Sequence, residues 1–276
     1  MIASQASTGV IRALSSGDIA SAFELSSIAG WNQTIGDWQM LLSLPGANCF
    51  AIEADGQVVS TTTLVCYGQR LAWIGMVLTR PEYRGRGFAR RLFAHVLDQS
   101  ESLGIETLKL DATLQGQPLY EQFGFSVEQR IERRVRLGEH NLYSSTSSPR
   151  LSEDLRTLDA EVFGADRSVL LDQLAKRGDF IAASNFFLFT RAGRASSYLG
   201  PCVASDPKNA RALLEQPLSA SDTVWSWDLL PENTNAVALA HEFGFTRERL
   251  LTRMSRGKVL RGRDDLVYAI AGFELG

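Results

Sequence analysis

The chain is poor in the residues that build metal sites and disulfide scaffolds. Its 276 residues hold three cysteines, Cys49, Cys66 and Cys202, and three histidines, His95, His140 and His241. The cysteines lie far apart in apolar stretches, which excludes a disulfide framework and fits a reducing, cytoplasmic setting. They read as small buried hydrophobes rather than nucleophiles. No Cys-x-x-Cys and no His-Glu-x-x-His occurs, so no metal is expected. Charge of one sign is lacking too: 28 Lys plus Arg face 31 Asp plus Glu, a formal net charge of −3. Short basic runs occur, such as Arg130–Arg136, which is broken by Ile131, Glu132 and Val135. That balance argues against a nucleic-acid partner. No run is apolar enough to span a bilayer or to act as a signal segment, so no membrane association is expected.

What is present is ordinary globular composition, 45% hydrophobic and 21% charged, in a chain long enough for one large or two medium domains. The first half alternates strands and helices. Gly9–Leu14 reads as a strand, Asp18–Ala29 as a helix with Ser16 as its N-cap, and Thr34–Leu44 as a second helix stopped by Pro45-Gly46. Cys49–Glu53 and Gln57–Tyr67 are β-rich runs joined through Asp55-Gly56, a hairpin signal. Arg70–Thr79 continues the meander. The period then changes: Phe88–Leu103 is an amphipathic helix, Glu106–Asp111 a strand, Pro118–Phe123 a short helix and Ser126–Leu137 a final strand. A strand–helix–strand unit of this kind implies a parallel pair with a right-handed crossover.

Polar, Ser-rich residues at 139–150 read as a linker. Beyond it the pattern recurs. Tyr120-Glu121-Gln122-Phe123-Gly124-Phe125 has a counterpart in Ala240-His241-Glu242-Phe243-Gly244-Phe245, at a separation of 120 residues. Ile74-Gly75-Met76-Val77 resembles Leu199-Gly200-Pro201-Cys202 at a separation of 125. The shortfall falls where the first copy has Arg80–Gly87. A tandem pair of like domains follows, over residues 1–138 and 151–276, with one loop kept only in the first.

That loop lies in Met76–Ala89, between a strand and a helix. Gly85 and Gly87 permit close backbone approach, a helix N-terminus supplies unpaired amides, and Arg84, Arg86 and Arg90 add positive charge. The combination suits a pyrophosphate. A P-loop would end in Gly-Lys-Ser/Thr, which is missing. A dinucleotide fingerprint would need a third glycine where Arg90 stands and a tight turn where Arg80–Arg84 intervene.

Arg84-x-x-Gly87-x-Ala89 instead resembles the R/Q-x-x-G-x-G/A signature of the GNAT superfamily of N-acetyltransferases. Leu119-Tyr120-Glu121-Gln122-Phe123-Gly124-Phe125 is similar to that family's L-Y-E-K-x-G-F segment. The likeness in element order covers about Gly9–Leu137, and the whole chain is similar to bacterial members with a second GNAT-like domain. Thr113 departs from the pattern, since many members have Asn there. The resemblance implies an α+β fold of two tandem GNAT-like domains, each a mixed, mostly antiparallel sheet flanked by helices. It implies acetyl-CoA as cosubstrate, with pantetheine along Val77, Leu78 and Thr79 and pyrophosphate on Gly85, Arg86, Gly87, Phe88, Ala89 and Arg90, assisted by Arg84. It implies direct attack by an amine in a ternary complex, the Leu78 backbone N–H on the developing oxyanion, and Tyr120 as general acid. Asp111 and Asp37, or water linked to either, are the candidate bases. Trp31, Asn32, Asp37 and Trp38 are candidates for the wall facing a small-molecule or peptide amine; core packing is the alternative for the tryptophans. The second copy has Ala240 where the first has Tyr120 and lacks the loop, so it is expected neither to bind coenzyme A nor to catalyse. Closing the acceptor cleft and homodimer formation are its alternative roles. A noncatalytic acyl-CoA sensor on the same fold is the competing reading, which Tyr120 disfavours.

Overall fold

The computed structural model describes residues 9–138, 151–183, 185–219 and 223–276; the expected linker at 139–150 lies outside them. The chain divides into two compact units, Met1–Glu106 and Thr107–Gly276.

In the first unit, β1 (Val10–Ala13), β2 (Ala47–Ala54), β3 (Gln57–Tyr67) and β4 (Leu71–Thr79) form an antiparallel meander in sequence order. Asp55 and Gly56 both take positive φ, 53° and 74°, the turn that matches strand twist in a two-residue hairpin. Helices α1 (Ile19–Ile28), α2 (Ile35–Ser43) and α3 (Phe88–Ser102) pack on this sheet. Ser16 does not cap α1. A 3-10 turn over Ser16–Asp18 precedes that helix, and Ser15 shares a capping box with Asp18. Helix α2 starts as its sequence dictates: Thr34 accepts from the Asp37 amide at 3.1 Å, and the Asp37 carboxylate accepts from the Thr34 amide at 2.7 Å. Ile52, Val59, Phe88 and Leu92 meet in one buried cluster, which fixes α3 against the meander.

The second unit begins with β5 (Thr107–Ala112), α4 (Gln117–Gln122) and β6 (Ser126–Arg136). It continues with α5 (Glu153–Phe163), α6 (Ser168–Ala175), β7 (Gly178–Ala183), β8 (Phe186–Arg191) and β9 (Ser197–Val203). Then come α7 (Pro207–Leu218), β10 (Trp225–Leu229), α8 (Thr234–Glu242), β11 (Thr246–Gly257) and β12 (Val267–Ala269). Its strands lie in the order β5-β11-β6-β10-β9-β8-β7, with β12 on β9. Among the described residues of this unit only β9 and β10 are parallel, and α7 connects them; the other pairings are antiparallel.

This order means that the two sequence copies exchange their last strands. The first copy's β6 pairs with β10 of the second, and the second copy's β11 pairs with β5 of the first. The exchange is locked by two reciprocal buried ion pairs. Arg253 on β11 stands opposite Asp111 on β5 and binds it through two bonds of 2.9 and 3.0 Å. Arg133 on β6 stands opposite Asp228 on β10 and binds it at 2.7 and 2.6 Å. Arg133 and Arg253 are 120 residues apart, as are Gly124 and Gly244. The compact units therefore divide at Glu106, ahead of the copy boundary, because β5 and β6 are tied to strands from the second half.

Candidate functional site

The meander is irregular at one place. Thr61 pairs with Leu78, but Thr63 pairs with Gly75, so β4 carries one residue more than β3 between these points. The bulge contains Met76, at φ 50°, a left-handed conformation unusual for a residue with a side chain. Four fully buried hydroxyl residues of β3, Ser60, Thr61, Thr62 and Thr63, face it. The Ser60 hydroxyl donates to the Leu78 carbonyl at 2.6 Å, and the Thr61 hydroxyl donates to the Met76 carbonyl at 2.9 Å.

After Thr79, Arg80 anchors the chain. Its Nε donates to the Val58 carbonyl at 3.0 Å and its guanidinium binds Glu24 of α1, whose carboxyl is held below its ordinary value by that bond. A 3-10 turn over Pro81–Tyr83 follows. The Tyr83 ring is buried against Phe88, and its hydroxyl donates to Asp55 at 2.7 Å. Arg84, Gly85, Arg86, Gly87 and Arg90 are exposed. Gly85 (φ 74°) and Gly87 (φ 81°) are left-handed, with nothing within 4 Å of where a Cβ would stand. Gly87 occupies the N-cap of α3, so the amides of Phe88 and Ala89 have no acceptor within the helix. The Arg86 guanidinium stacks on Tyr83 at 4.7 Å, and the Arg84 Nε donates to the Thr79 carbonyl at 3.2 Å. The result is an open, positively charged cradle at the N-terminus of a 15-residue helix.

The other candidates fall into different settings. Asn32 is buried and Trp31 half-buried in the loop between α1 and α2. Trp38 is fully buried, its indole N–H donating to Ser26 at 3.1 Å, and Asp37 is held in its capping box. Both make the contacts of packing residues. Asp111 is fully buried in its pair with Arg253; burial pushes its carboxyl up while the guanidinium pulls it down. Tyr120 on α4 is buried over Gly116, and burial pushes its phenol above the ordinary value. It therefore stays protonated at neutral pH. Burial also raises the thiols, Cys49 to about 12 and Cys66 to about 11, which removes them as nucleophiles at neutral pH.

The second copy bears the same bulge without its surroundings. Phe187 pairs with Val203 and Thr190 with Leu199, so β9 carries one extra residue around Gly200-Pro201. At the positions matching Ser60–Thr63 it has Phe186, Phe187, Leu188 and Phe189. Only Ser205, Asp206, Pro207 and Lys208 stand where the first copy has its arginine-glycine loop. The groove beside β9 is filled by the chain itself. Val267 pairs with Val203, Ala269 pairs with Cys202, and the Ala204 amide donates to the Leu266 carbonyl at 3.1 Å. On the other side the Ile270 amide donates to the Asp228 carbonyl at 2.9 Å, and the Trp227 indole N–H donates to the Tyr268 carbonyl at 2.7 Å. Cys202, Val203 and Ala204 are the counterparts of Val77, Leu78 and Thr79. This filling segment and the hydroxyl run were missed in the sequence; the run Ser60-Thr61-Thr62-Thr63 inside a β-rich stretch was the available signal for the second.

Comparison with known proteins places these features. Residues 20–125 match the model described as the acetyltransferase (GNAT) family, and residues 155–269 match one described as an acetyltransferase (GNAT) domain. The uncharacterized N-acetyltransferase YitH of Bacillus subtilis strain 168 is 25% identical over 245 residues, covering 83% of this chain and 85% of its own. A Pyrococcus horikoshii crystal structure described as an acetyltransferase superposes with a TM-score of 0.84 at 22% identity, over 97% of this chain and 96% of that one. A GCN5-related N-acetyltransferase from Sphaerobacter thermophilus gives 0.60 at 13% identity, over 92% and 96%. At these identities the two structures speak for the fold alone.

Proposed function

Because the chain belongs to the GNAT family of N-acetyltransferases, with one such domain in each half, we propose that it moves an acetyl group from acetyl-CoA to a primary amine at a single site, in the first copy. The observation that carries this reading is the junction of β4 and α3. There a bulged strand runs into two exposed left-handed glycines that open a long helix, among Arg84, Arg86 and Arg90. Its backbone amides and guanidinium groups suit a pyrophosphate, and nothing occupies the space beside the two glycines. The second copy lacks the loop, and its own segment Leu266–Ile270 covers the strand that would correspond.

Acetyl-CoA supplies an activated thioester whose carbonyl a neutral amine attacks directly. Val77, Leu78 and Thr79 offer strand backbone to the pantetheine, and the amides from Gly85 to Arg90 take the pyrophosphate. A backbone N–H of the bulge stabilises the developing oxyanion, a contribution that costs no reorganisation because the strand is already set. Tyr120 gives its proton to the departing thiolate; its burial keeps the phenol neutral until then. Asp111 and Asp37 are both committed to bonds of their own, which favours water as the group that accepts the amine proton. Trp31 and Asn32 stand for the acceptor side.

Release of thiol from acetyl-CoA across a panel of small-molecule and peptide amines tests this reading in the full chain. Turnover with at least one amine is the expected result. Saturable binding with no turnover on any amine would leave the acyl-CoA sensor instead, and no binding would contradict the reading altogether.

A further inference from the structure

We infer that Ser60 and Thr61 are positioning residues for acyl transfer, acting through the β4 backbone; this rests on the acetyl-CoA reading above. Four consecutive hydroxyl residues are fully buried on β3. Burying hydroxyls in a sheet is unfavourable unless they are bonded, and two of them bond at short distance to carbonyls of β4. Thr61 donates to the Met76 carbonyl at 2.9 Å. Ser60 donates to the Leu78 carbonyl at 2.6 Å and shares a 2.8 Å contact with the Thr79 hydroxyl. Thr62 reaches the Gly75 carbonyl only at 3.5 Å, and the Thr63 hydroxyl has no hydrogen-bond partner among the described residues, so neither is part of the clamp.

The consequence follows from the planarity of the peptide bond. In a trans peptide the C=O and the following N–H point in opposite directions. Holding the Met76 carbonyl toward Thr61 therefore aims the Val77 N–H away from it. Holding the Leu78 carbonyl toward Ser60 does the same for the Thr79 N–H. These two amides lie in the stretch proposed to meet the pantetheine and thioester. Met76 at φ 50° is a conformation that persists only where its surroundings fix it, and the two hydroxyls fix the direction of the peptides that follow it rather than the presence of the bulge. The second copy is the internal control. It has the bulge but carries Phe186, Phe187, Leu188 and Phe189 in place of the hydroxyl run, and there the strand pairs with the chain's own Leu266–Ala269.

Thr61→Val removes the donor at nearly constant volume; Thr61→Ser keeps it. In the full chain, Thr61→Val should lower kcat with a reactive amine about 10–100-fold while KM for acetyl-CoA shifts less, since misaligned donors act on the transition state. Without any ligand, hydrogen exchange at the amides of 76–79 should accelerate in Thr61→Val and stay near the native rate in Thr61→Ser. Ser60→Ala should reproduce the exchange effect at Thr79 and is the second route if Thr61→Val does not fold. Native exchange and native kcat in a folded Thr61→Val or Ser60→Ala overturn the inference. A native chain that fails to bind acetyl-CoA overturns the functional reading instead, and the ligand-free exchange data still report on the clamp.

Discussion

The bulged strands β4 and β9 occupy the same place in two copies of one fold, and the residues around them have diverged. Beside β4 stand buried hydroxyls on one neighbour and an exposed glycine-arginine loop at its end. Beside β9 stand phenylalanines and a leucine, a short connection, and the segment Leu266–Ile270 laid along Cys202–Ala204. A bulge takes backbone donors and acceptors out of the regular ladder, and buried backbone groups must find partners. In the second copy the chain's own Leu266–Ile270 meets them; in the first we propose that acetyl-CoA does. The bulge alone is thus no mark of activity. Its surroundings differ between the copies, and the proposed binding follows that difference.

The strand exchange should treat both copies alike. Arg253→Met leaves Asp111 buried without its partner and should cost about 3–5 kcal/mol of unfolding free energy in urea titrations. Arg133→Met should cost a similar amount through Asp228. A loss below about 1 kcal/mol in either would mean that the pair does not hold the exchange.

The loop should separate the copies. Gly87→Val places a β-branched residue at φ 81° where the helix opens; the strain should cost about 1–3 kcal/mol of stability, and acetyl-CoA binding by the still-folded chain should weaken at least about 100-fold by calorimetry. Tyr120→Phe should lower kcat about 10–100-fold while binding is retained. Because burial raises the Tyr120 phenol, turnover of the native chain should show no loss from its ionisation below about pH 10; a Tyr120-dependent fall near neutrality would contradict the assignment. The smallest effect belongs to Gly200→Ala. Its Cβ would stand 2.1 Å from the Ile270 carbonyl oxygen, so the filling segment must shift, at about 1–3 kcal/mol. Faster hydrogen exchange at 267–271 is expected, with binding at the first copy unchanged.

The parts of this organisation that depend on local chemistry were legible in the sequence. Asp55-Gly56 announced its hairpin, Thr34 and Asp37 their capping box, and the span Gln57–Tyr67 coincides with β3. The Phe-Gly-Phe repeat revealed the duplication, and Arg84-x-x-Gly87-x-Ala89 pointed to the family. The strand exchange was not legible. Nothing in the strands of Arg133 and Arg253 marks their partners, which lie 95 and 142 residues away. Only pairing across the copies makes them internal. For the same reason Asp111 read as a candidate base, since its guanidinium partner comes from the far end of the chain. Asp37 and Trp38 were ambiguous for another reason: a capping carboxylate and a buried indole have the same residue types as an acceptor site.

We propose one acyl-CoA site per chain, in the first copy. Calorimetric titration of the full chain with acetyl-CoA, on the native protein and on Gly87→Val, tests it most directly. The account predicts one equivalent bound per native chain and none, at the same concentrations, in the variant. Two equivalents, or undiminished binding after Gly87→Val, would contradict it.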